Sequence, residues 1–91
     1  MACKICWISG RVQGVYYRGS AAQRARELSV TGYARNLPDG RVEVLACGEE
    51  GAVQRFIEWL WVGSTASRVT AVEVADATAG NPQPPAEFRT A

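Results

Sequence analysis

The residues with the clearest capacity for chemistry form one contiguous run, Gly10-Arg11-Val12-Gln13-Gly14-Val15-Tyr16-Tyr17-Arg18. It leaves an apolar stretch, turns on two glycines and reaches an arginine where a helical pattern begins. This is an anion cradle in outline. Glycines let successive backbone N–H groups curl toward one point, a helix N-terminus adds partial positive charge, and a guanidinium presents a planar fork of donors to phosphate or carboxylate oxygens. Each ingredient is common by itself, and a glycine turn ahead of a helix is most often only a connection. The run lacks the lysine and adjacent hydroxyl residue that close a Walker loop, and it lacks the three-glycine spacing of a dinucleotide fingerprint. Nucleotide binding is therefore not indicated.

The chain offers few other reactive groups. It holds no histidine, and the run above holds no lysine, serine or cysteine that could serve as a nucleophile. No cluster of carboxylates or thiols suggests a metal, and nothing calls for a cofactor. What remains is charge stabilisation and a positioned water. That suffices only when the leaving group needs no proton. An acyl phosphate expels a carboxylate, whose conjugate acid has a pKa of roughly 4 to 5, whereas an alkyl phosphate expels a far more basic alkoxide. The missing general acid thus selects a mixed anhydride as substrate.

A second run reads Gly32-Tyr33-Ala34-Arg35-Asn36-Leu37-Pro38-Asp39-Gly40-Arg41-Val42, followed by Gly48. Together the two runs resemble the signatures of the acylphosphatase family. The first signature is written G-x-V-Q-G-V-x-F-R, with Tyr17 standing where phenylalanine is usual. The second is G-[FYW]-x-x-N-x-x-x-G-x-V with a glycine beyond it. The resemblance covers residues 3–76. It implies a metal-independent hydrolase of the carboxyl–phosphate bond, with Arg18 and Asn36 as the catalytic pair. Phosphate would be held by Gln13, Gly14, Val15, Tyr16, Tyr17 and Arg18. This chain departs from the family where Ala21 replaces a threonine, Ser29 a frequent glycine and Thr65 a frequent proline.

The elements that must position these residues follow from periodicity. Residues 3–9 are too short and too apolar for a surface helix and read as a central strand. A helix follows with Tyr17, Ala21, Ala25 and Leu28 on its apolar face. Ser20 and Gln23 form a possible capping box that starts it at Ala21, whereas the resemblance implies a start nearer Arg18 with the bound anion as cap. Gly32 stops the helical segment, residues 33–37 read as a second strand, and Pro38-Asp39-Gly40 is hairpin chemistry. Val42, Val44 and Ala46 share one face of a third strand. A second helix begins near Glu49 with the stripe Val53, Phe56, Ile57 and Leu60 and stops at Gly63. Trp59 and Trp61 flank the stripe. Residues 69–76 read as a fourth strand, residues 79–86 as an irregular loop and residues 87–89 as a short edge strand. The order β-α-β-β-α-β predicts an α+β, ferredoxin-like split-βαβ fold, an antiparallel sheet with both helices on one face.

Ninety-one residues predict a single domain over 1–91. No apolar run approaches the roughly 20 residues of a membrane span, and no leader precedes the first strand. The expectation is a cytoplasmic monomer whose partners are a small acyl phosphate and inorganic phosphate, with no membrane and no nucleic acid. Three cysteines predict reduced thiols: Cys3 and Cys6 point to opposite faces of one strand, and Cys47 is read as structural. Net charge is only +1, yet residues 1–41 carry seven basic and two acidic side chains while the remainder carries three and seven. The basic part holds both runs, which supports a locally positive site. The rival reading is a non-catalytic anion-binding or regulatory domain, including modules fused to hydrogenase maturation factors, which a chain of this length disfavours. An RNA-binding relative of the fold would want aromatics on the third strand, which has none.

Overall fold

A computed structural model describes residues 1–77 and 85–91. Its elements are β1 (Ala2–Arg11), α1 (Tyr17–Glu27), β2 (Thr31–Asn36), β3 (Val42–Gly48), α2 (Glu50–Val62), β4 (Arg68–Asp76) and β5 (Phe88–Thr90). The strands form one sheet in the order β4-β1-β3-β2-β5. β1 lies between β3 and β4 and is apolar on both faces, which is why its sequence shows no clean alternation. Cys6 and Ile8 enter the main core, whereas Cys3 joins Leu45 and Cys47 in a smaller cluster on the other face.

The registers set the site. Ile8 stands opposite Val42 on β3, and Val42 stands opposite Asn36, the last residue of β2. The end of β2 therefore lies in the same row of the sheet as Ile8, shortly before the end of β1 and two strands away. The split-βαβ expectation holds for β1 to β4, which pair antiparallel throughout. The sheet itself is mixed, because β5 pairs parallel to β2, with Gly32 opposite Phe88. β5 occupies the edge that β2 would otherwise present unpaired. The expected irregular loop falls on residues 79–84 outside the described residues and on Pro85 and Ala86 just before this strand.

Both helices pack over the sheet through Tyr17, Ala21, Ala22 and Ala25 of α1 and Ala52, Val53, Phe56, Ile57 and Leu60 of α2. Between them Phe56 meets Phe88 edge-on at 5.5 Å and stacks on Trp59 at 6.2 Å. Each fully buried side chain of this size contributes about 1.5–3 kcal/mol. α2 is capped by the Glu49 carboxylate, which accepts from the Gly51 N–H, and it stops at Gly63 with φ of 72°, as its sequence implies.

α1 begins next to Arg18, as the resemblance implies, and departs from expectation at its C-terminal end. It starts at Tyr17, without a Ser20–Gln23 capping box. It stops at Glu27, well before Gly32, because Ser29 adopts φ of 58°. The Val30 N–H donates to the Ala25 carbonyl at 2.8 Å and the Ser29 N–H to that of Arg26 at 3.2 Å. These are the two bonds of a Schellman motif, with buried Val30 and Ala25 supplying its apolar contact.

The cysteines require a correction. Cys3 and Cys47 are joined by a disulfide, where reduced thiols are expected from the sequence. Comparing Cys3 with Cys6 along one strand tests the wrong pair. The β1–β3 register sets Cys3 directly across from Cys47, with Cα atoms 4.1 Å apart. Cys6 is free and buried, and burial pushes its thiol up to about 12, so it is an inert part of the core.

Candidate active site

The cradle begins where β1 breaks register. Its pairing with β4 shifts between Ser9 and Gly10, and a Cβ at Gly10 would overlap the Arg68 carbonyl oxygen. Only glycine allows that approach. Residues 12–16 then turn the chain into α1, with Gly14 at φ of 75° and Tyr16, the helix N-cap, at φ of 60°. No side chain caps this end of α1. The backbone N–H groups of residues 13–17 find no acceptor among the described residues. A helix start of this kind, with successive N–H groups unspent, favours an oxyanion.

Arg18 sits in the first turn of α1. It lines a cavity of about 470 Å³ together with Val12, Gly14, Tyr16 and Tyr17. Its Nη1 donates to the main-chain oxygen of Ala91 at 2.6 Å, which leaves its remaining N–H donors for another acceptor. No Asp or Glu among the described residues pairs with it. The guanidinium is thus steered by the residue that follows β5 and by no Asp or Glu side chain among the described residues.

Asn36 does not line that cavity. It is exposed, and its position two residues after buried Ala34 puts it on the helix-covered face of the sheet, the side that carries Arg18. The link between the two runs is Gln13. Its Nε2 donates to the carbonyls of Leu37 and Arg41, each at 2.9 Å, and these residues bracket the turn that follows Asn36. The sequence places Gln13 among the phosphate-holding residues and gives no sign that its side chain reaches the hairpin. No local pattern could reveal this tether, since its partners lie 24 and 28 positions away.

Two further contacts fix the loop from behind. Ser64 Oγ donates to the Val15 carbonyl at 2.7 Å. The Tyr17 hydroxyl donates to the Leu60 carbonyl at 2.7 Å, and burial, with a lesser push from Cys6, holds the phenol well above its usual range. Tyr17 therefore stays a neutral donor. Leu60 lies in the last turn of α2, where carbonyls lack intrahelical partners, so the hydroxyl that distinguishes Tyr17 from phenylalanine closes the second helix. A group of three or more metal-binding side chains does not occur among the described residues.

Comparison with known proteins decides the family. The family model described as Acylphosphatase matches residues 4–90. This chain belongs to the acylphosphatase family. A curated acylphosphatase of Chromohalobacter salexigens is 61% identical over 71 residues, covering 78% of this chain and 79% of the relative. Among solved structures, an acylphosphatase from Bacillus subtilis superposes with a TM-score of 0.92 at 34% identity, covering all of this chain and 99% of its own. One from Coxiella burnetii gives 0.90 at 36% identity, covering 99% and 92%. Family membership and these relatives make the chain an enzyme of the acylphosphatase class rather than a non-catalytic anion binder.

Proposed function

We propose that this acylphosphatase cleaves the carboxyl–phosphate bond of acyl phosphates without a metal, through Arg18, the N–H groups of residues 13–17 and Asn36. The cradle and guanidinium hold the three phosphoryl oxygens and stabilise the loose, metaphosphate-like transition state. The Asn36 amide orients the attacking water by accepting or donating, and it cannot itself take a proton. The water oxygen bonds to phosphorus while the bond from phosphorus to the bridging oxygen breaks. The bridging electron pair leaves with the carboxylate, and the water proton passes to a phosphoryl oxygen. The products are carboxylate and inorganic phosphate.

The observation that carries this reading is the uncapped start of α1, whose N–H groups have no acceptor among the described residues and which opens on a cavity containing Arg18. The Gln13 tether to the hairpin after Asn36 supports the joint use of both runs.

The test is hydrolysis of benzoyl phosphate in chelator-treated buffer made with oxygen-18 water, with p-nitrophenyl phosphate as control. Phosphate release from the acyl phosphate alone, with label in the phosphate, is expected. Label in benzoate would put the attack at the carbonyl carbon, and equal hydrolysis of the aryl ester would remove the leaving-group argument. Either result overturns the proposal.

A further inference from the structure

The cavity that holds Arg18 extends beyond what one phosphoryl group needs, and its far wall carries a second cation. Arg18, Ala22 and Arg26 all line it, at positions i, i+4 and i+8 of α1, so they form one stripe along the helix face. Ala22 is buried and small, which leaves a trough between the two long side chains. Thr90 of β5 forms the other bank. Tyr16 stands at the cradle end, and a Cβ at Gly19 would overlap its ring, so the ring lies against the first turn of the helix.

The charges around Arg26 are already spent elsewhere. Glu27 pairs with Arg24 at 3.0 Å and Glu87 with Arg89 at 3.4 Å. Arg26 itself makes one long hydrogen bond, from Nη2 to the Phe88 carbonyl at 3.4 Å, and no Asp or Glu among the described residues pairs with it. Every other lining residue of the cavity is neutral. Two guanidinium groups therefore line one trough to which no Asp or Glu among the described residues contributes.

We propose that Arg26 selects acyl phosphates whose acyl group ends in a second anion, such as the monoacyl phosphates of short dicarboxylic acids. Arg18 and the cradle grip the phosphoryl end, the acyl chain lies over Ala22, and the distal carboxylate meets the Arg26 fork. This rests on the phosphoryl group binding at the cradle, as proposed above. Arg26 is a specificity residue that acts through substrate binding and leaves the bond-breaking step to the groups at the phosphoryl end.

The experiment compares kcat/KM for succinyl phosphate with that for butyryl phosphate, which matches it in length and lacks the distal charge. In the unaltered enzyme the ratio should exceed one by about fivefold or more at low salt and shrink as ionic strength rises. Arg26→Gln should bring the ratio to about one through KM, Arg26→Lys should retain part of the preference, and Arg26→Glu should invert it. A general loosening of β5 in these variants would lower both substrates together and leave the ratio unmoved. A ratio of one in the unaltered enzyme, or an unchanged ratio in Arg26→Gln, overturns the assignment while hydrolysis of butyryl phosphate keeps the reaction itself standing. Failure to hydrolyse either substrate overturns both.

Discussion

At the scale of single residues, the most informative departure from the family pattern is Tyr17. A tyrosine in place of phenylalanine adds a buried hydroxyl, which costs stability unless it finds a partner. Here it donates to the Leu60 carbonyl, a helix-end acceptor that would otherwise go unmet. Tyr17→Phe should therefore destabilise the protein by about 1–2 kcal/mol, read as a lower urea midpoint with an unchanged slope. An unaltered midpoint would mean that another donor reaches Leu60. This pairing was not legible beforehand, because Tyr17 and Leu60 lie 43 positions apart. The glycines and Arg18 were legible, since the cradle is local and its residue types carry its geometry.

At the scale of elements, α1 shows what a helical pattern hides. Its face was readable from Tyr17, Ala21 and Ala25, but its end was placed at Gly32, because glycine is the usual mark of a left-handed stop. The stop is Ser29, a residue with no such preference. A left-handed L-residue carries about 1–2 kcal/mol of backbone strain, and glycine relieves it at the cost of greater freedom in the unfolded chain. Ser29→Gly should thus stabilise by about 0.5–1 kcal/mol in chemical denaturation, and Ser29→Val should destabilise. The disulfide was missed for a related reason. The strands were readable one by one, but the opposition of Cys3 and Cys47 belongs to the register between β1 and β3. A bridge closing 44 positions of chain should contribute about 2–4 kcal/mol. Urea titrations with and without reductant, and of Cys47→Ser, should show that difference, and coincident curves would deny the bridge a part in stability.

At the scale of the whole molecule, the sheet has two working faces. One carries the helices and the site, and the other carries a polar cluster that ties three strands together. On that second face Glu43 of β3 accepts from Trp7 Nε1 of β1 at 3.1 Å and from the Tyr33 hydroxyl and Arg35 Nε of β2 at 2.8 and 2.7 Å. Partial burial favours the neutral acid, yet the hydrogen bonds from Tyr33, Arg35 and Trp7 outweigh it and hold the Glu43 carboxyl below its usual value. A depressed folded-state value means that stability is present above the ordinary glutamate pKa of about 4.3 and is lost as pH falls through the folded one. The urea midpoint should therefore drop as pH falls from about 5 to about 3, and Glu43→Gln should flatten that drop. Equal slopes for both proteins would show that Glu43 does not govern the acid limb. The βαββαβ order was legible because each element announces itself locally, whereas the parallel docking of β5 was not, since three residues carry no directional signal.

The same molecular frame brings the cradle and the hairpin together, and the account stands on their division of labour. The direct measurement is turnover of benzoyl phosphate alongside equilibrium binding of inorganic phosphate in Arg18→Ala and Asn36→Ala. Asn36→Ala should lose about a hundredfold or more in kcat while binding phosphate as the unaltered enzyme does. Arg18→Ala should lose turnover and phosphate binding together. Full turnover in either variant, or phosphate binding that depends on Asn36 as strongly as on Arg18, would contradict it.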